Sequence, residues 1–154
     1  SMSENTTVTT PETGNTGTVT PPASSIINDA VESVMDMIDA LGLFATITRG
    51  ALGTGNGLTC EVSPTSPLEV YLDKNKYIPI DLTLNGKHEN LETLSNAMNA
   101  IHESLTFAKE YTSGTGFQIV DIATITEPQI IGRDEEKLWI MASNLSVRIL
   151  TEKE

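Results

Sequence analysis

"IPIDLTLNGKHENLETLSNAMNAIHESL", residues 78–105, decides the fold. In its first half Ile78, Ile80, Leu82 and Leu84 share one face while Asp81 and Thr83 take the other, the two-residue period of a strand with one buried side. In its second half the period changes. Leu91, Leu94, Met98, Ile101 and Leu105, continuing to Ala108, recur at three- and four-residue steps, which predicts a helix from Asn90 as N-cap to about residue 110. Asn85-Gly86 between the halves is elsewhere a hairpin signal, but no return strand follows it, so the strand is expected to stop there and turn into the helix. A one-faced strand handing over to a one-faced helix belongs to a sheet covered by helices.

Upstream, Ser25 is a suitable N-cap for a helix over 26–41, with Ile26, Ile27, Ala30, Val31, Val34, Met35, Ile38 and Leu41 on its apolar side and Gly42 as its stop. Strands are expected at 44–49 and 58–62. A less clear one at 68–72 is limited by Pro64 and Pro67. Downstream, "FQIVDIATITEPQII" (117–131) and "KLWIMASNLSVRIL" (137–150) form a terminal hairpin around the charged turn "GRDEE". Slips in alternation near Val120 and at Ser143-Asn144 read as bulges or twist. The fold class is therefore α+β: a mainly antiparallel sheet of four to five strands with two helices packed on one face. Residues 26–154 form the single domain. Residues 1–25, rich in Thr, Ser, Pro, Gly and Asn, have no apolar face to bury and are expected to be a disordered tail, dispensable for folding.

Composition narrows the function. The 154 residues suffice for one domain with a core. Nine basic against 21 acidic residues leave a formal charge of −12, which argues against a nucleic-acid or anionic-membrane surface, since both demand clustered Lys and Arg. No stretch reaches the ~20 apolar residues of a membrane span and no leader pattern opens the chain, so a cytosolic start is expected. A single cysteine allows no internal disulfide, and two histidines are too few for a zinc cluster.

The motifs that could carry chemistry fall short of it. "TRGALGTGNGLTCEV" (48–62) has Gly50 and Gly55 at the Walker separation, but Asn56 and Gly57 stand where lysine and a hydroxyl belong. Leu58 occupies the third glycine position of a dinucleotide fingerprint. A strand, not a helix N-terminus, follows, so the segment is expected to be a loop that contacts partners and binds no nucleotide. Cys60 lies in an apolar strand phase and reads as a buried, inert thiol. His88 in a polar turn and His102 beside Glu103 read as ordinary surface or half-buried side chains. Asp134, Glu135 and Glu136 lack calcium-loop spacing and read as a solvated hairpin tip. Trp139 reads as core or as an interface anchor. No catalytic residue, metal ligand or cofactor site is expected, and a binding or assembly protein is favoured over an enzyme.

From Ile26 to residue 153 the layout resembles the small tail-terminator and minor-capsid proteins of tailed phages and phage-derived particles. The shared features are the amphipathic opening helix, "IPIDLTLNGKHENLETL" leading into the helix "AMNAIHESL", and the closing "ATITEPQIIGRDEEKLWIMASNLSVRIL". The resemblance implies a non-catalytic ring subunit, typically a hexamer, that caps a tail tube and joins it to the head or neck, within a virion or phage-like particle. DNA would only pass through the channel. Another head–tail connector, or a small cytosolic ligand-binding domain, is the alternative. Candidate subunit or partner contacts are Gly53, Gly55, Asn56, Gly57, Tyr71, Tyr77 and Trp139.

Overall fold

The computed structural model describes residues 23–63, 76–108, 110–111, 113–114 and 116–151. The expected tail up to residue 22, the candidate strand at 68–72 and Tyr71 lie outside these residues. Along the chain come helix α1 (Ala23–Asp39), strands β1 (Ile47–Arg49), β2 (Gly57–Val62) and β3 (Lys76–His88), helix α2 (Leu91–Thr106), and strands β4 (Ser113–Gly114), β5 (Phe117–Arg133) and β6 (Trp139–Thr151). The fold is α+β, as the two periodicities predict.

The sheet order is β1-β2-β3-β6-β5-β4. Every neighbouring pair is antiparallel except β1 and β2, which run parallel. Two very short edge strands bring the count to six. Ladder partners place Leu58, Cys60, Leu82, Leu84, Leu145, Val147 and Ile149 on one face, where α1 adds Val31, Val34 and Ile38 and α2 adds Leu94, Met98, Ile101 and Leu105. This face carries the core.

Boundaries differ from expectation in ways that packing explains. Helix α1 opens at Ala23, so Ser25 lies inside the helix and is not its cap. Gly42 follows with φ +70°, the left-handed position of a helix stop. Helix α2 starts where Asn90 caps it, the Asn90 side-chain oxygen accepting from the Thr93 amide at 2.9 Å, but it ends at Thr106. Strand β3 does not stop at Asn85-Gly86; it runs on to His88, because β6 pairs with it along its whole length, from Lys76↔Thr151 to His88↔Trp139. The slip near Val120 is a bulge in β5 between Ile119 and Asp121. The slip expected at Ser143-Asn144 is not in β6, whose ladder to β3 is unbroken; the irregularities lie opposite, in β5 between Thr124 and Gln129.

Gly86 is in the sheet for closeness, not for turning. A Cβ there would sit 2.6 Å from Leu94 Cδ1, 3.1 Å from Met98 Sδ and 3.2 Å from Leu58 Cδ2. Helix α2 thus rests directly on the β3 backbone. Gly86→Ala should lower unfolding free energy by about 1–3 kcal/mol through overpacking, read by denaturant titration. An unchanged midpoint would show that the three side chains yield freely.

On the other face, Thr59 sits between Thr48 and Asn85 in the ladder. It is buried, and its hydroxyl has no hydrogen-bond partner among the described residues. Thr59→Val keeps the shape and removes the orphan, so a gain of about 1 kcal/mol is expected in the same titration. A loss of stability would mean that the hydroxyl is paired.

Candidate partner-binding surface

The parallel pairing of β1 with β2 explains the glycine-rich segment. Ile47 pairs with Leu58, so the chain leaving Arg49 must double back over residues 50–56 to start β2 beside the beginning of β1. Gly50 at φ +110° and Gly55 at φ +76° take the left-handed conformations that this reversal requires. The Gly50 amide donates to the Cys60 carbonyl at 3.0 Å, closing the loop on β2. β1 is held to α1 twice: the Ile47 amide donates to Asp39 Oδ1 at 2.9 Å, and Arg49 Nη1 donates to Asn28 Oδ1 at 3.0 Å.

Four connections meet at this end of the sheet. The Asn56 side-chain oxygen accepts from the Glu89 amide at 3.2 Å, tying the glycine loop to the β3–α2 turn. In that turn His88 Nδ1 accepts from the Asn90 amide at 2.8 Å, and its ring stands edge-on to Phe44 with centroids 4.6 Å apart. His88 pairs with Trp139, and Trp139 with Arg133, whose guanidinium lies 4.6 Å over the indole. Gly53, Gly55, Asn56, Gly57 and Trp139 therefore share one end of the molecule. Tyr77 does not join them. It is half exposed near the start of β3, eleven residues from His88 in sequence and about 35 Å along the strand.

The hairpin tip is more than a solvated acidic cluster. Lys87, buried, donates to Asp134 Oδ2 at 3.0 Å, while Asp134 Oδ1 accepts from the amides of Glu136 and Leu138, each at 2.9 Å. The Leu138 amide above all, with the Lys87 ammonium and the Glu136 amide, holds the Asp134 carboxyl below its ordinary range, while burial works against them. Lys137 takes a left-handed φ of 68°, and its carbonyl accepts from Arg133 Nε and Nη2 at 3.2 and 3.0 Å. Glu135 and Glu136 are left exposed.

β5 presents an exposed feature of a different kind. Beyond Gln118, where β4 ends its pairing, its outer edge has no strand neighbour among the described residues. Val120, Ile125, Ile130 and Ile131 are exposed along this strand. Its bulges and Pro128 interrupt the regular ladder that would otherwise recruit any passing strand.

Cys60 and His102 are both buried. Cys60 is fully buried, and burial pushes its thiol up to about 11, which keeps it an unreactive thiol as expected. His102 is buried, contrary to expectation. Its Nε2 lies 2.6 Å from Ser143 Oγ and its Nδ1 lies 2.8 Å from Thr124 Oγ1, so one imidazole bridges two strands from the underside of α2. Burial lowers its pKa, and Glu127 opposes that shift. The signal for it was Ser143, an inward position in the otherwise apolar series Met141, Leu145, Val147 and Ile149, which needs a polar partner. No helix among the described residues is long and apolar enough to cross a membrane.

No protein-family profile matches the chain, and no curated protein matches it. Among solved structures, it is similar to a chain from the virion of a native gene transfer agent particle, with 11% sequence identity, 80% of this chain and 91% of that chain covered, and a TM-score of 0.48.

Proposed function

We propose that the protein is a structural, non-catalytic subunit of a phage-like particle that assembles with copies of itself into a ring closing the tail tube and joining it to the head or neck. The observation that carries this is the free edge of β5. A long strand with four exposed apolar side chains and an interrupted ladder is suited to a specific side-chain contact with a neighbour. The layout that resembles tail terminators supports it: an opening helix, β3 running into α2, and a closing hairpin. The glycine loop, Asn56 and Trp139 at one end of the sheet would face the tube or the neck, while head-to-tail contacts that close on rotation would give the ring.

Charge sets the conditions of assembly. Six copies would carry six times −12, or −72 formal charges, too many to crowd on an outer rim, so part would line the channel and let DNA pass without adhering. The same repulsion opposes association of free subunits. Light scattering across a salt series should show mass rising as salt screens it, and imaging with purified tail tubes should show protein at tube ends. A chain that stays monomeric at every salt and decorates no tube end would instead be a small ligand-binding domain.

A further inference from the structure

A groove of about 250 Å³ opens between the last turns of α2 and the irregular middle of β5, lined by Asn99, His102, Glu103, Thr106, Phe107, Thr124 and Glu127. It is smaller than the ~300–1,000 Å³ of cofactor sites and suits one side chain. Two features give it a negative character, and a third gives it an aromatic rim. Glu103 comes from the helix and Glu127 from the strand, both exposed, and among the described residues no lysine or arginine lines the groove. The negative end of the α2 macrodipole is here as well, with no basic residue in the last turn to offset it. Phe107, the C-cap of α2, is 74% exposed at the rim, the most exposed large apolar side chain among the described residues.

His102 forms the floor and is already spent. With one ring nitrogen on Thr124 and the other on Ser143, it neither reacts nor binds; it fixes the separation of helix and strand and so the width of the opening. Burial lowers the imidazole pKa and so favours the neutral form, which adds no positive charge to repel a cation.

We propose that this groove takes the guanidinium of an arginine on a protein partner, held between the Glu103 and Glu127 carboxylates and stacked on the ring of Phe107. A guanidinium is planar, stays charged, offers donors to two carboxylates at once and stacks on an aromatic face; an ammonium lacks the plane and holds its water more tightly. The site draws Thr124 and Glu127 from β5 but uses neither the glycine loop nor the exposed Val120, Ile125, Ile130 and Ile131, so its test needs no ring to form.

The test is an amide NMR titration of the full ¹⁵N-labelled chain with N-acetyl-arginine amide, alongside the blocked lysine and citrulline analogues. Saturable shifts should be confined to 99–107 and 124–127 with the arginine probe, be weaker with lysine and be absent with citrulline. Glu103→Gln and Glu127→Gln should each weaken the arginine effect about fivefold, the upper range of an exposed ion pair, and Phe107→Ala should weaken it too. Both glutamines are isosteric at exposed positions, and unchanged amide shifts elsewhere will show that the variants fold. Shifts spread over the whole acidic surface, equal effects of lysine and arginine, or indifference to the double glutamine variant would each overturn the proposal.

Discussion

Leu94→Ala should cost about 2–5 kcal/mol, the largest single loss expected in this fold. Leu94 is fully buried, and its Cδ1 occupies the space directly over Gly86, so truncation opens a cavity at the line where α2 meets β3. The same geometry makes the two sites interdependent. Gly86→Ala destabilises a chain that keeps Leu94, because the new methyl meets Cδ1; in a Leu94→Ala chain that methyl enters the vacated space. Denaturant unfolding of the four-member cycle should therefore show the double variant more stable than the sum of the single losses, by about 1 kcal/mol or more. Strict additivity would mean that helix and strand separate to relieve the contact.

His102→Ala should cost about 2–4 kcal/mol, combining a cavity under α2 with a buried Ser143 hydroxyl left without its partner. His102→Gln, which keeps a polar side chain, should cost less. The histidine also gives the fold a pH dependence whose sign follows from its lowered pKa. Below about 6.5 the unfolded chain takes up the proton while the folded chain, with the imidazole buried between two hydroxyls, resists it. Stability is therefore undiminished above that pH and declines as pH falls. Asp134, whose carboxyl is held low by the hairpin amides, pulls the same way at more acidic pH: its contribution is present above its ordinary value of 3.8 and is lost below. Unfolding measured from pH 7 to pH 5 in the natural protein and in His102→Gln separates the two, since only the natural protein should show the extra slope in that interval.

What the sequence makes plain here is local. The α2 stripe, its Asn90 cap, the β2 and β3 alternations and the terminal hairpin are written in neighbouring residues, and each has its place in the structure. The pairings that shape the candidate surface are not local. Lys87 and Asp134 are 47 residues apart, and His102 and Ser143 are 41 apart. Lys87, Asp134 and His102 look ordinary among their sequence neighbours; Ser143 stands out as polar in an apolar series, but only the sheet shows which partner it meets. The parallel arrangement of β1 and β2 was hidden for a different reason. Two strands and a glycine-rich link spell the same letters whether the chain reverses beside the first strand or doubles back to its start, and only the three-residue length of β1 permits the latter within seven residues. The free edge of β5 follows from topology alone, whereas Glu103, Phe107 and Glu127 face one groove because a helix end and a bulged strand happen to cross.

The central position of β6 sets the tempo of folding. Its partner β3 lies 51 residues away at the near end of the ladder (88 to 139) and 75 at the far end (76 to 151), while β5 is joined to it by a five-residue turn. The β5–β6 hairpin can close in microseconds, but the seam that completes the sheet must wait for a large loop to close, so the chain belongs among the millisecond-to-second folders. During that interval the apolar faces of β3 and of the hairpin are both bare. If the chain assembles as proposed and is made in many copies at once, its strong negative charge would serve a second purpose: keeping half-folded neighbours apart until β3 has found its own β6.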